Sequence, residues 1–543
     1  MQRIAAALAF ALTACGAQGA DGLDSGEPGG NVSFGGAQDI GEFRGALDRG
    51  ELPAANSLDA NGFFNEHFNA PPSGGCDSVL CLTPGLSIGR DWLTGHHQAT
   101  IQISLNTSVD PASFPRLPMR LVVVVDHSGS MSSDGRLEKV KVGLHALVDN
   151  LQPEDRLAII SFDDDVTYNA PFSDALEVSH LHEVIDQLQP DGGTNLYDGL
   201  EAGFELIGEA PSSETQNRVI FLSDGLATVG ITSSPAIMDM ATEHIRTGIG
   251  LTTIGVGNNF DVELMRGLAE NGAGTFYFLE DGTAATEVFQ QELDYFMSPL
   301  ALDVQLEAIA GAGWQFDEVV GTRRWSATSS RGDMDVPAVF LASRTSQEPT
   351  GGRRGGGSTL FIHLHNTSDA SPDVADIRLS YRLPNSTERI TQRVELDYSA
   401  DPSATPDDPF LSSPEMAERY AMYNLYLGIR AATVSSDRNC AASALVATQQ
   451  RALAWNETHQ DPDIAADLML IEQYLGNLRE RGAVDRELAG CSFVAEPYEP
   501  EYGEHYCGVD QYDRVGCSAG KDSVGWLAIG LLSLRLRRRR RSR

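Results

Sequence analysis

Cationic residues are scarce in this chain. It sets 39 Lys and Arg against 76 Asp and Glu, a formal charge of −37. That excludes sequence-independent nucleic-acid binding, which needs a cationic face to displace phosphate counterions. Cysteine is rare as well, seven residues with no CxxC pair, which argues against a zinc knuckle or a thioredoxin-like redox site. No apolar run reaches the roughly eighteen residues of an ordinary spanning helix. What is present is enough for a core: 41% of residues are hydrophobic, so the chain is not a disordered polymer. At about 150 residues per domain, its length leaves room for three or four domains.

The two ends read as addresses. MQRIAAALAFALTACG places Arg3 before a short apolar stretch from Ile4 to Leu12 and two small residues before Cys15, the order of a cleavable export signal. It resembles a bacterial lipobox, which implies a lipidated Cys15 as the first residue of the mature chain. At the other end, Cys517, the apolar run Val524 to Leu534 and an arginine cluster ending at Arg543 follow in that order. This arrangement resembles the myxobacterial sorting signal called MYXO-CTERM, whose tail is recognised during export. Either resemblance implies a chain exported and anchored to the bacterial cell envelope, at the outer membrane or cell surface. With Cys15 lipidated, six thiols remain, and fifteen pairings are open. Closeness in sequence favours Cys76–Cys81 and Cys440–Cys491.

Between the ends, composition and period mark off segments. After a signal peptide over 1–15, residues 16–75 are acidic, Gly-rich and nearly aperiodic, as expected of a flexible stalk. Residues 76–118 contain short alternating stretches that predict a β lead-in. Residues 119–297 alternate strand and helix, from LVVVV (121–125) to a last helix near 284–297. Repeated βα units predict an open, doubly wound, mainly parallel sheet. Period-two segments over 298–400 predict an antiparallel β domain with a flexible loop tip at 351–357, and 410–485 returns to helical spacing. A cysteine-containing linker (486–517) leads to the C-terminal sorting or anchor segment (518–543). The fold class is thus α/β, followed by an antiparallel β domain and a small helical segment.

The chemistry gathers in the α/β segment. LVVVV runs into Asp126-His127-Ser128-Gly129-Ser130, Gly192-Gly193-Thr194 precedes a helix, and Asp224 follows the strand VIFL. The carboxyl ends of parallel strands are where open α/β sheets place ligands. Asp126, Ser128, Ser130, Thr194 and Asp224 supply only hard oxygens, which suit Mg²⁺, with Mn²⁺ or Ca²⁺ as alternatives, and not copper or zinc. A helix-capping loop would use the same Asp and Ser types, but would not need Thr194 and Asp224 in register with them. The set DxSxS, Thr, Asp resembles the metal-ion-dependent adhesion site of von Willebrand factor type A (VWA) domains. That resemblance covers about a third of the chain. It implies that hydroxyls of Ser128, Ser130 and Thr194 hold the ion, that the two Asp act largely through water, and that a partner's Asp or Glu completes the shell. A looser likeness, by order and pattern, extends to bacterial VWA surface lipoproteins.

Other signals carry less. GCSAG at 516–520 fits a nucleophile elbow but lies in the tail, without its strand and helix. The Arg331-Gly332-Asp333 tripeptide is placed in a loop, His363 and His365 on a solvated strand face, and Asp163-Asp164-Asp165 in a polar turn. His127 is expected at the rim of the site rather than as a ligand. Nothing assembles a nucleophile, a base and an orienting group, so an enzyme is not expected. The leading expectation is a cell-surface, adhesion-type protein that captures a partner through metal. The alternative is an envelope scaffold whose VWA domain docks a neighbouring complex without metal-dependent capture.

Overall fold

The computed structural model describes residues 30–69, 77–110, 117–173, 177–208, 215–257, 260–272, 274–279, 299–342, 355–366, 371–384, 386–399, 408–484 and 488–491, with isolated positions between them. The expected lipid site Cys15, the helix expected over 284–297 and the C-terminal segment lie outside this set, apart from isolated positions in that helix.

The segment expected as a stalk is folded over its described residues, 30–69. It forms strands β1 (Gly30–Ser33) and β2 (Gly36–Ala37) and helices α1 (Gly41–Asp48) and α2 (Ala60–Asn65). Its few apolar residues explain the correction. Val32, Ile40, Phe43, Phe63 and Phe64 are buried, though too widely spaced to show a period. Strands β3 (Cys81–Arg90) and β4 (His97–Thr107) follow.

The α/β unit then runs β5 (Met119–Asp126), α3 (Arg136–Asp149), β6 (Arg156–Phe162), β7 (Val166–Ala170), α4 (Val178–Gln187), α5 (Leu196–Gly208), β8 (Gln216–Ser223), α6 (Ser234–Ile245), β9 (Gly250–Val256), α7 (Val262–Asn271) and β10 (Thr275–Leu279). Its seven-stranded sheet has the order β2-β10-β9-β8-β5-β6-β7, parallel except for β7. The β-branched run of β5 is central and buried on both faces, the environment such runs fit. Apolar residues from the helices cover one face around Leu121 and Val123 and the other around Val122 and Val124. Between α3 and α4, His145 and His182 meet Nδ1 to Nδ1 at 2.6 Å, with Asp186 and Asp149 each 3.1 Å from a ring Nε2.

The later strands are β11 (Pro299–Ala310), β12 (Trp314–Val320), β13 (Ser326–Ala327), β14 (Arg331–Ala342), β15 (Thr359–Asn366), β16 (Asp373–Arg382), β17 (Arg389–Asp397) and β18 (Phe410–Leu411). With β1, β3 and β4 they make one eleven-stranded antiparallel sheet. The expected lead-in is therefore not a separate unit: β4 pairs with β15 and with β1, and β1 pairs with β14. The α/β unit is an insertion between strands of this sheet, and 30–69 contributes a strand to both sheets. Arg331 opens β14, so the Arg-Gly-Asp tripeptide is strand rather than loop, and Gly332 packs under Trp325. The Gly-rich tip also departs from expectation, because Arg353 is buried against Glu66, Asp463 and Asp467.

Helices α8 (Met416–Val434), α9 (Arg438–His459) and α10 (Pro462–Glu480) follow. They pack on α1, α2 and the sheet through Phe43, Phe63, Phe361 and Tyr423. The disulfide Cys440–Cys491 forms with a Cα–Cα distance of 5.5 Å, the pairing favoured by closeness. Cys81 is also disulfide-bonded, and its expected partner Cys76 lies outside the described residues. Among the described residues no helix is long and apolar enough to cross a membrane.

Candidate metal centre

All five expected ligands converge at the carboxyl edge of the parallel sheet. Asp126 ends β5, Ser128 and Ser130 lie in the loop to α3, Thr194 sits two residues before α5, and Asp224 follows β8. Asp126 and Asp224 are fully buried, Ser128 and Thr194 nearly so, and Ser130 is exposed. The loops are tied together: Gly129 N–H donates to the Gly192 carbonyl at 3.1 Å, and Thr228 and Val229 donate to the Thr194 carbonyl. Gly192 takes φ +63, and a Cβ there would press on the Asp163 side chain at 2.9 Å, a place that favours glycine.

Each Asp has both oxygens engaged. Asp126 Oδ1 accepts from Ser128 N at 2.9 Å, and Oδ2 accepts from Ser223 Oγ at 2.6 Å. Burial pushes the Asp126 carboxyl above its ordinary value, while the Ser223 and Ser128 hydrogen bonds pull the other way. Asp224 Oδ1 accepts from Ser130 Oγ at 2.6 Å, and Oδ2 accepts from Arg136 Nη1 at 2.7 Å. Ser223 and Arg136 are participants the sequence reading missed. Ser223 adjoins Asp224 and had a local signal, whereas Arg136 had none.

The donor set fits a hard divalent ion. Ser128 Oγ and Ser130 Oγ are 2.9 Å apart, close to the ~3 Å edge of an octahedron built on metal–oxygen bonds of about 2.1 Å. A Cβ placed on Gly225 would lie 3.6 Å from Thr194 Oγ1 and 3.9 Å from Ser130 Oγ, so these two hydroxyls border one small space. His127 turns its Nδ1 to the Gln189 carbonyl at 2.8 Å, with Nε2 3.9 Å from Asp163, which places it at the rim. Asp164 Oδ1 accepts from Gly193 N at 3.2 Å, a loop contact. His363 and His365 share Asp317 on the antiparallel sheet, away from this edge.

Comparison with known proteins bears on the α/β unit that carries this edge. The von Willebrand factor type A domain family matches residues 121–291. Uncharacterized protein YfbK of Escherichia coli (strain K12) is 29% identical over 36% of this chain and 34% of its own length. The human inter-alpha-trypsin inhibitor heavy chain H3 is 30% identical over 36% of this chain and 23% of its own. The chain thus spans about a third or less of these two relatives. Among solved structures, a von Willebrand factor type A protein from Catenulispora acidiphila aligns over 70% of this chain and 88% of its own, at 13% identity and a TM-score of 0.45. The α/β unit of this chain is a von Willebrand factor type A domain.

Proposed function

We propose that this chain is an envelope-anchored binding protein whose VWA domain captures a protein partner through a divalent ion, with a partner Asp or Glu completing the coordination. One observation carries the reading: five oxygen-bearing side chains from three separated segments meet at one sheet edge, two of their hydroxyls at octahedral spacing. An ion there would be held by Ser128, Ser130 and Thr194 and oriented through Asp126 and Asp224. It would supply a Lewis-acidic position for a carboxylate. Exposed Leu226, two residues after Asp224, offers apolar contact beside that carboxylate. Mg²⁺ is the first choice of ion, with Mn²⁺ and Ca²⁺ as alternatives, and the proposal contains no catalytic step. Export agrees with the Cys440–Cys491 disulfide, since such bonds persist in oxidising compartments. Anchoring through Cys15 is the corresponding placement.

The scaffold alternative also has an observation in its favour. Arg136 pairs with Asp224, so that carboxylate has a cationic partner within the protein itself. Capture from native envelope extract, in Mg²⁺ or in EDTA, separates the two. Metal-dependent capture predicts a partner retained in Mg²⁺, lost in EDTA and lost with Asp126→Ala. A partner retained equally in all three conditions would favour the scaffold.

A further inference from the structure

Arg136 opens α3 and is buried, at 6% exposure for the whole residue. Its close carboxylate is Asp224, at 2.7 Å, while exposed Asp134 stands off at 3.9 Å. Arg136 Nε has no hydrogen-bond partner among the described residues. Gly257, at φ +72, packs so closely that any Cβ there would strike the same guanidinium. Burying a charge with donors left unmet costs free energy that a well-packed apolar side chain would not. The arginine therefore needs an explanation beyond packing, and the metal edge it touches supplies one.

We propose that Arg136 sets the charge of the loaded centre, holding ion affinity down and carboxylate affinity up. The inference rests on the metal reading above. With both carboxylates ionised, Asp126 and Asp224 bring two negative charges, and Arg136 returns one. A divalent ion then leaves the buried set with one net positive charge, which a partner's carboxylate cancels. Without Arg136, the ion alone would neutralise the two aspartates, and an added carboxylate would leave the set negative. In a poorly screened interior both differences are large. Asp163, Asp164 and Asp191 stand at the rim, partly or fully exposed, where water and salt screen them. They act alike with or without Arg136. The arginine also gives the buried Asp224 carboxylate a partner within the protein.

The test uses the full chain, Mn²⁺ followed by titration calorimetry, and acetate as the carboxylate probe. Arg136→Met should bind Mn²⁺ about tenfold more tightly and lose the gain in Mn²⁺ affinity that acetate gives the unsubstituted chain. Arg136→Lys, which keeps the charge, should restore both behaviours. In chelator Arg136→Met should melt below the unsubstituted chain, and Mn²⁺ should close most of that gap. A side chain that only packs would lower melting equally with and without the ion. If Arg136→Met does not fold, Arg136→Gln keeps a donor for Asp224 without the charge and should also tighten Mn²⁺. Mn²⁺ affinity in the folded neutral variant equal to or weaker than that of the unsubstituted chain overturns the inference while leaving the metal reading standing. An unsubstituted chain that binds no Mn²⁺, or an Asp126→Ala chain that binds it undiminished, overturns the metal reading and this inference together.

Discussion

Asp126 and Asp224 have the same chemistry and different positions. Asp126 is held from beneath by a backbone N–H and the Ser223 hydroxyl, whereas Asp224 is held by one proposed ligand, Ser130, and by Arg136. Ser223 Oγ is committed to Asp126, and in the proposed centre it would be a positioning residue. Residues that orient metal-binding groups commonly change affinity by about 10–100-fold when removed. Losing a hydrogen bond to a buried carboxylate costs about 1–3 kcal/mol. Ser223→Ala should therefore weaken Mn²⁺ at least tenfold while the chain stays folded and loses only that much stability. Calorimetric titration beside urea unfolding reads both, and unchanged Mn²⁺ affinity would remove Ser223 from the centre.

At the scale of elements, the N-terminal segment is the structural surprise. β1 lies between β4 and β14 of the antiparallel sheet, while β2 extends the parallel sheet beside β10. Helix α2 is capped by Asp59, whose carboxylate accepts from Gly62 N. It inserts Phe63 fully buried, with ring centroids 5.0 Å from His67 and 5.8 Å from Tyr426. Truncating such a ring leaves a cavity that costs about 3–5 kcal/mol. Phe63→Ala should lower global stability by that amount in chemical denaturation, whereas a stalk residue would change nothing measurable. An effect below about 0.5 kcal/mol would return this segment to the status of a tether.

At the scale of the whole molecule, a buried ionic cluster joins the N-terminal segment, the Gly-rich tip and α10. His67 Nε2 lies 2.8 Å from Asp467 Oδ2, and Arg353 bridges Glu66, Asp463 and Asp467. Burial alone would lower the His67 value, but Asp467 overrides it and holds the imidazole above its ordinary range. Burial alone would raise Asp467, but Arg353 and His67 hold it below. His67 therefore contributes stability that is complete below its unfolded value of about 6.5 and is lost as pH rises through the raised folded value. Asp467 contributes stability that is complete above about 3.9 and is lost as pH falls through its lowered value. The cluster should be strongest between about pH 4 and 6.5. A melting profile should decline on the alkaline side of that window. His67→Gln should flatten the decline, and an unaltered slope would show that His67 is not its source.

The convergence of Asp126, Ser128, Ser130, Thr194 and Asp224 at one sheet edge, the parallel strands that carry them and the cysteine pair 440–491 were legible in the sequence, for related reasons. A β-branched run, a DxSxS turn and a helix-spaced segment each declare themselves within a few residues, and the parallel sheet then brings strand ends together by rule. The strand boundaries of β6, β12 and β10 were readable because their apolar patterns end abruptly. Tertiary structure alone decided the rest. Asn31 pairs with Ala342 and Asp126 is held by Ser223, contacts across long stretches of chain that leave no local period to read. Gly-rich, acidic residues 30–69 looked like a tether because composition reports average hydrophobicity and not where Val32, Phe43 and Phe63 land. The same holds for Arg136 and Arg353. A basic residue reads as surface until the fold shows that it is buried and which carboxylates meet it, since burying such a charge is tolerable only when partners are close.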